Sequence, residues 1–361
     1  MDIPPARHSR IWVVGFGTVG RWLLAALHEH AERLASRYGV AISVVGLANA
    51  RDGFIYDPAG LDLPAALKAA SAGSPITQLP GVHRWPDAID GLRATQADIL
   101  VEVTASPAAD GGEPGLSHIT EALGRGMPAV TSNKWPMALH GVDLAALARG
   151  HGVPLRAEST VMSGTPLLSS LTDGLAGAVP VGLRGVLNAT ANAILTDMAA
   201  GQAYPDALAD AQQAGLAERD PSADVDGPDS VAKVMILSAL VFGRQLRREQ
   251  VACRGIGGID PAQVEQARTT SSRLRHLATL EFTEPDGAGQ VTASVAPVLL
   301  PGDDPLAAVS GTDNAVVCRL NPVGEVTIIG PGAGPRLAGQ GVFSDLIAVT
   351  RQRPKADRDP E

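Results

Sequence analysis

Asp229 and Lys233 stand four positions apart in Pro228-Asp229-Ser230-Val231-Ala232-Lys233, and on a helix that spacing projects both side chains from one face. A plain surface ion pair accounts for the same residues, since Pro228 suits the first helical position and Asp229 the positive end of a helix. The setting argues for chemistry. The segment runs on through Val234, Met235, Ile236, Leu237, Ala239, Leu240 and Val241, so Lys233 is a rare charge in an apolar helix, and Glu218, Asp220, Asp224 and Asp226 crowd the stretch before it. Of 29 basic side chains only four are lysine, at positions 68, 134, 233 and 355. An arginine would serve a salt bridge, whereas a lysine readily changes protonation when desolvated, which suits proton transfer. Lys134, in Val130-Thr131-Ser132-Asn133-Lys134-Trp135-Pro136, follows a buried strand at the carboxyl edge where α/β sheets place their ligands.

The turn Gly15-Phe16-Gly17-Thr18-Val19-Gly20 carries a second kind of chemistry. Its glycines permit a tight turn, close approach of a pyrophosphate to the backbone, and close packing of helix on strand, while the free N–H groups of the helix start attract phosphates. Such a motif alone also occurs as a structural turn. Here it lies directly between an apolar strand, Ile11-Trp12-Val13-Val14, and a helical pattern, so a nicotinamide dinucleotide is expected on Gly15, Gly17, Thr18, Val19 and Gly20. Sites that select NAD close the second strand with a carboxylate; this chain has Leu47-Ala48-Asn49-Ala50-Arg51 there. Arg51 favours the 2′-phosphate of NADP, with NAD possible. Asp52 is a counter-signal, and Arg51 as a solvated surface charge stays open.

These residues need elements to position them. Apolar spacing predicts a helix over Thr18–Tyr38, stopped by Gly39, then a strand over Ala41–Ala48, and further buried strands at Asp98–Val103 and Met127–Ser132, with helices at Gly115–Gly126 and Gly141–Gly150. The rhythm changes near Pro154. A strand at Leu155–Glu158, a helix near Leu167–Leu175, a strand at Val181–Asn188, a helix at Ala191–Ala199, the acidic loop Glu218–Asp229 and a helix over Asp229–Phe242 follow. Leu280–Phe282, Val291–Val298, Ala315–Leu320 and Glu325–Ile329 read as a second sheet, and Gln340–Thr350 as a closing helix. The expected architecture is α/β: a Rossmann-type parallel-sheet dinucleotide-binding domain over 1–157, to which 332–361 returns, plus an α+β catalytic and dimerisation domain over 158–331.

Bulk composition narrows the partners. With 361 residues, 45% hydrophobic and 19% charged, the chain can bury a full core, and a formal charge of −9 argues against nucleic acid and for a small-molecule substrate. No run of about 18 apolar residues could span a bilayer, and Met1–Arg10 lacks the apolar stretch of a signal peptide. A cytoplasmic protein without membrane partners is expected. Cys253 and Cys318 sit among apolar neighbours without metal-ligand spacing and read as buried free thiols. The stretch from Arg351 to Glu361, charged and broken by proline, reads as a frayed tail.

Taken together, these segments resemble the homoserine dehydrogenase family from about Ile11 to Ile347. The resemblance rests on the GFGTVG turn, Ser132-Asn133-Lys134, Glu158-Ser159-Thr160-Val161 with Gly164-Thr165-Pro166, Leu187-Asn188-Ala189-Thr190-Ala191-Asn192 with Ile194-Leu195, the Glu218-to-Lys233 loop and helix, and Gly330-Pro331-Gly332-Ala333-Gly334. It implies NAD(P)H-dependent reduction of L-aspartate 4-semialdehyde to L-homoserine, a step towards threonine and methionine. By position it implies that Lys233 and Lys134, with Asp229, are catalytic and flank the aldehyde, and that Glu218, Asp220, Asp224 and Thr190 hold the substrate. Thr104, Ser106, Lys134 and Gly332 would approach the cofactor. It further implies a monovalent cation, sodium in most relatives, on carbonyls around Glu158, Val161, Ser163 and Thr165, and a homodimer built on the second domain's sheet. The physics agrees: a developing alkoxide needs a cation and a proton source, and a substrate ammonium needs carboxylates.

The sequence departs from the family pattern. Ala189 stands in place of a common glycine, Ala193 in place of an aromatic, Leu337 in place of threonine, and Met162 and Ser163 in place of glycines in the cation segment. A sibling dehydrogenase for another short semialdehyde or amino alcohol is the alternative that Ala189 and Ala193 raise. A silent nucleotide sensor is a second, which the intact Lys134 and Lys233 oppose. The chain ends soon after its last glycine turn, so feedback control through an appended amino-acid-binding domain is not expected.

Overall fold

The computed structural model describes residues 6–283 and 289–353. The chain divides into two compact units, Met1–Thr160 with Pro335–Glu361, and Val161–Gly334. It is an α/β protein in which a mainly parallel sheet fills the first unit and a mainly antiparallel sheet the second.

In the first unit the strands are β1 (Arg7–Val14), β2 (Val40–Asn49), β3 (Gly53–Tyr56), β4 (His83–Trp85), β5 (Ile99–Glu102), β6 (Ala129–Thr131) and β7 (Leu155–Arg156), in spatial order β4-β3-β2-β1-β5-β6-β7. From β2 to β7 neighbours run parallel, and β3 runs antiparallel to both β2 and the edge strand β4. Ile11, Trp12, Val13 and Val14 are all buried, as in a strand covered on both faces. The expected helix over Thr18–Tyr38 ends earlier. It runs Thr18–Glu29, loses helical geometry at His30, and resumes as a short turn and a π-type turn, Leu34–Tyr38, closed by Gly39 at φ 66°. Leu34 still reaches the core across that break, so its apolar spacing concealed it.

The helix expected from Gly141 begins at Lys134, and its two halves meet at a kink where His140 has φ −132°. The strand expected over Leu155–Glu158 stops at Arg156, because the Glu158 N–H turns to the buried Asp345 carboxylate, 2.9 Å away. Strands β3 and β4 and the helices Leu63–Ser71 and Ala88–Ala94 were not expected. The closing helix is Pro335–Gln352; a methyl on Gly339 would run into the Trp22 ring, which shows how tightly it lies on the helix after the glycine turn. Arg351 and Gln352 are therefore helical rather than frayed, and Arg353 clamps Asp98 by its carboxylate and carbonyl at 3.0 and 2.8 Å. The rest of the expected tail, 354–361, lies outside the described residues.

The second unit holds β8 (Val179–Val186), β9 (Val251–Cys253), β10 (Arg273–Thr283), β11 (Gln290–Leu300), β12 (Asp313–Asn321) and β13 (Gly324–Pro331), in order β13-β12-β8-β10-β11-β9. Helices Ala189–Ala199 and Pro228–Val241 pack against β10. The second of these buries every residue from Ser230 to Ala239, so it has no polar face to give it amphipathic period. The helix expected over Leu167–Leu175 contains a π-type turn at Ser170–Gly174, and the polar helix Tyr204–Gln213 was not expected. Cys318 is buried, and burial pushes its thiol up to about 12, but Cys253 is exposed, contrary to expectation, because β9 is the sheet's edge strand. Among the described residues no helix is long and apolar enough to cross a membrane.

Candidate active site

The glycines after β1 divide their work unequally. Gly15, at φ 112°, has no room for a methyl, which would come within 2.6 Å of the Val103 carbonyl and 2.8 Å of the Thr104 N–H. A methyl on Gly20 would meet the Gly15 carbonyl. Both are needed for strand-to-helix packing. Nothing lies within 4 Å of where a methyl on Gly17 would sit, so that glycine keeps space open before a helix end that no side chain caps and no acid occupies. Thr18 and Val19 open that helix with N–H groups available to an anion. The residues fit a dinucleotide pyrophosphate.

At the carboxyl ends of β5 and β6 a buried polar network forms. Glu102 is fully buried and accepts hydrogen bonds from the Thr104 N–H at 3.1 Å, from the Thr104 hydroxyl, and from the Thr131 hydroxyl at 3.2 Å. The His118 ring nitrogen lies 3.8 Å away. Asn133 donates to the Thr104 and Ser106 hydroxyls at 3.2 and 2.7 Å, and Ser106 accepts from the Gly115 N–H. Thr104, Ser106 and Asn133 are thus held in one lattice, and Lys134 opens the next helix, half-buried. The sequence reading missed Glu102. The signal was a carboxylate closing an apolar strand, Ile99-Leu100-Val101-Glu102.

Beyond β2, Arg51 is solvent-exposed and its guanidinium holds Asp52 at 2.8 and 3.2 Å. Asp52 also accepts from the Asn49 amide at 2.9 Å and the Ile76 N–H at 3.1 Å. The Arg51 hydrogen bond chiefly, opposed by burial, brings its carboxyl down to about 2. Asp52 is therefore a fixed ionised tether whose acceptors are already engaged, and Arg51, with most of its surface in solvent, also reaches the Gly73 and Ser74 carbonyls at 3.4 Å.

In the second unit, Lys233 is buried. Its ammonium donates to the Leu187 carbonyl at 2.6 Å and lies 2.9 Å from Asp229, so the four-residue spacing does bring these two together. Asn188 joins both acids, donating to Asp224 at 2.7 Å and to Asp229 at 3.1 Å, while its own oxygen caps the helix Ala189–Ala199 through the Ala191 N–H. The Leu187 carbonyl also accepts from Asn314 at 2.9 Å, and a methyl on Gly332 would collide with Asn314. Asn188 and Asn314 were not singled out from sequence. Both are buried amides in apolar runs, where an unexplained polar group is itself a signal.

The other predicted residues make contacts of their own. Glu218 and Asp220 are exposed; Asp220 accepts from the Ser222 N–H and hydroxyl, which lower its carboxyl, and the Glu218 carbonyl accepts from Gln212. Thr190 spends its hydroxyl on the Leu216 carbonyl at 3.0 Å, fastening the start of the acidic loop. Val161 is buried, and Ser163 adopts φ 53°, the left-handed conformation natural to glycine. Ser163 and Thr165 donate to the carbonyls of Gly332 and Pro331 at 3.1 and 3.2 Å, tying the two turns together. Ala189 and Ala193 are buried.

An uncapped helix start behind a glycine turn at the carboxyl edge of a parallel sheet, in a chain whose other unit buries a paired lysine, is the equipment of an NAD(P)-dependent oxidoreductase. Comparison with known proteins gives the family. A model described as the NAD binding domain of homoserine dehydrogenase matches residues 15–158, and one described as homoserine dehydrogenase matches 166–347. The NAD(+)-dependent homoserine dehydrogenase of Pseudomonas canavaninivorans is 36% identical over 342 residues, covering 94% of this chain and 96% of that protein. The homoserine dehydrogenase of Methanocaldococcus jannaschii is 33% identical, covering 94% and 98%. A hyperthermophilic archaeal homoserine dehydrogenase solved in complex with NADPH superposes with a TM-score of 0.79 at 32% identity, covering 97% and 100%. This chain belongs to the homoserine dehydrogenase family, enzymes that interconvert L-aspartate 4-semialdehyde and L-homoserine.

Proposed function

We propose that this chain reduces L-aspartate 4-semialdehyde to L-homoserine, and the reverse, with Lys233 and Lys134 as the cations at the aldehyde oxygen and Asp229 fixing Lys233. The observation that carries this reading is the buried Lys233 ammonium, with one donor on the Leu187 carbonyl and Asp229 at 2.9 Å. Those contacts engage two of its three N–H groups and fix where the third points. The cofactor, when bound, supplies the hydride. The Lys233 ammonium stabilises the alkoxide and gives it the proton that completes the alcohol, itself becoming a neutral amine, and Asp229 holds the ammonium at that position. Glu218, Asp220, Asp224 and Thr190 are assigned to the substrate, with the exposed carboxylates drawing in its ammonium.

Gly15, Gly17, Thr18, Val19, Gly20, Thr104, Ser106 and Gly332 are assigned to the cofactor, bound by residues 1–157 with 332–361; 158–331 is assigned to substrate and dimerisation. NADP is preferred on the strength of Arg51, an exposed guanidinium beyond β2 held by Asp52. A sodium ion on carbonyls around Glu158, Val161, Ser163 and Thr165 is supported by the left-handed Ser163, which keeps a glycine-like turn without glycine. A homodimer is supported by Val298 and Ile329, 37% and 54% exposed on one face of the second unit's sheet. The compartment proposed is the cytoplasm.

Following NADPH oxidation with L-aspartate 4-semialdehyde, and in parallel with other short semialdehydes, tests the substrate. Turnover only with another aldehyde would favour the sibling reading that Ala189 and Ala193 raise, and cofactor binding without any turnover would favour the sensor.

A further inference from the structure

The first unit contains a pocket at the far end of the helix that follows Gly17. The segment just after helix Thr18–Glu29, the π-type turn Leu34–Tyr38 and helix Pro335–Gln352 border an open pocket of about 280 Å³. That helix's 12 residues place the region about 18 Å from the glycine turn. Leu34, Phe343 and Ile347 give the cavity a buried apolar floor, while His30, Arg33 and Arg351 give it a basic rim. No carboxylate is among its lining residues.

Both arginines of this rim are exposed. Among the described residues neither the Arg33 nor the Arg351 side chain makes an ion pair or a hydrogen bond, although Glu29 lies four residues before Arg33. Two guanidiniums over an apolar floor match an anion that carries a hydrocarbon body, and the planar forks of arginine suit a carboxylate. The volume sits just below the roughly 300 Å³ at which small-molecule pockets begin, which suits a ligand of amino-acid size rather than a nucleotide.

We propose that this cavity binds a small amphipathic monocarboxylate, with its carboxylate on Arg33 and Arg351 and its hydrocarbon on Leu34, Phe343 and Ile347. The site has a mechanical outlet. Ser344 lines it, and the next residue, Asp345, accepts the Glu158 N–H at 2.9 Å, while Ser159 donates to the Ala338 carbonyl on the same helix. Occupancy therefore bears on the segment to which the proposed function assigns the cation; binding itself does not rest on that assignment.

Calorimetric titration of the purified chain with 3-phenylpropanoate and 4-methylpentanoate, each beside its neutral amide, tests this. Saturable binding of the acids is expected, with the amides and the Arg33→Gln/Arg351→Gln double variant each weaker by about tenfold or more, while NADPH binding to the variant is unchanged. Equal binding of acid and amide, an unaltered affinity in the double variant, or no saturation by either acid up to about 20 mM, weaker than an affinity of about 1 mM by more than tenfold, would overturn the proposal. Because NADPH binding is read separately, failure here leaves the dehydrogenase reading intact.

Discussion

Replacing Lys233 by methionine separates what this residue does for the fold from what it does for the reaction. The side chain is buried, 2.6 Å from the Leu187 carbonyl and 2.9 Å from Asp229, so methionine keeps the volume and deletes the charge. Removing one partner of a buried pair costs about 3–5 kcal/mol when the other charge is stranded. Asp229 is not stranded here: it keeps the Asn188 amide at 3.1 Å and its side chain is 12% exposed. We therefore expect a smaller cost of about 2 kcal/mol, which for a unit of this size lowers Tm by about 4–8 °C. Loss of the proton donor should lower kcat by about 10²–10⁴-fold. Lys233→Arg provides the contrast, restoring much of the Tm through its charge but not the kcat, because a guanidinium does not give up its proton. Thermal melting and NADPH oxidation at saturating aldehyde read the two quantities. A folded methionine variant with undiminished kcat would refute the assignment of Lys233, whatever its Tm.

Arg51→Ala should reduce the preference for NADPH over NADH by about tenfold or more in kcat/KM while leaving NADH kinetics nearly unchanged; an unchanged ratio would place the selectivity elsewhere. Glu102→Gln removes the charge that the Thr104 and Thr131 hydroxyls and the Thr104 N–H all serve, and should raise KM for the cofactor with a smaller effect on kcat, measured by steady-state kinetics. Burial holds His276 below its ordinary value, so the folded state keeps it neutral while the unfolded chain protonates more readily. Its contribution is full above an unfolded value of about 6.5 and is lost as pH falls below it, so denaturant titrations should show stability declining on acidification, less so in His276→Gln.

The alternating strands and helices of the first unit were legible because a parallel sheet covered on both faces leaves continuous apolar runs such as Ile11–Val14. The edge strand β4 was not, since His83–Trp85 is short and mostly exposed. The Leu63–Ser71 helix did carry a readable sign in Asp62, whose side chain accepts from the Ala65 N–H, but its apolar pattern is brief. In the site, the lysines and acids were visible by type. Asn188 and Asn314 were not, because their roles depend on a carbonyl and carboxylates distant in sequence. Nor could spacing show that Thr190 fastens a loop, or that Arg51 and its neighbour Asp52 form one tethered pair.

Gly17 differs from Gly15 and Gly20 in having empty space where a methyl would go, and its φ of −80° and ψ of −156° are open to alanine. The native architecture can thus host alanine there without repacking, while the added carbon occupies ground left for a pyrophosphate. Gly17→Ala should accordingly yield a well-folded, nucleotide-blind reference protein. Against that blank, heat released by any other ligand could be measured without correction for the dinucleotide.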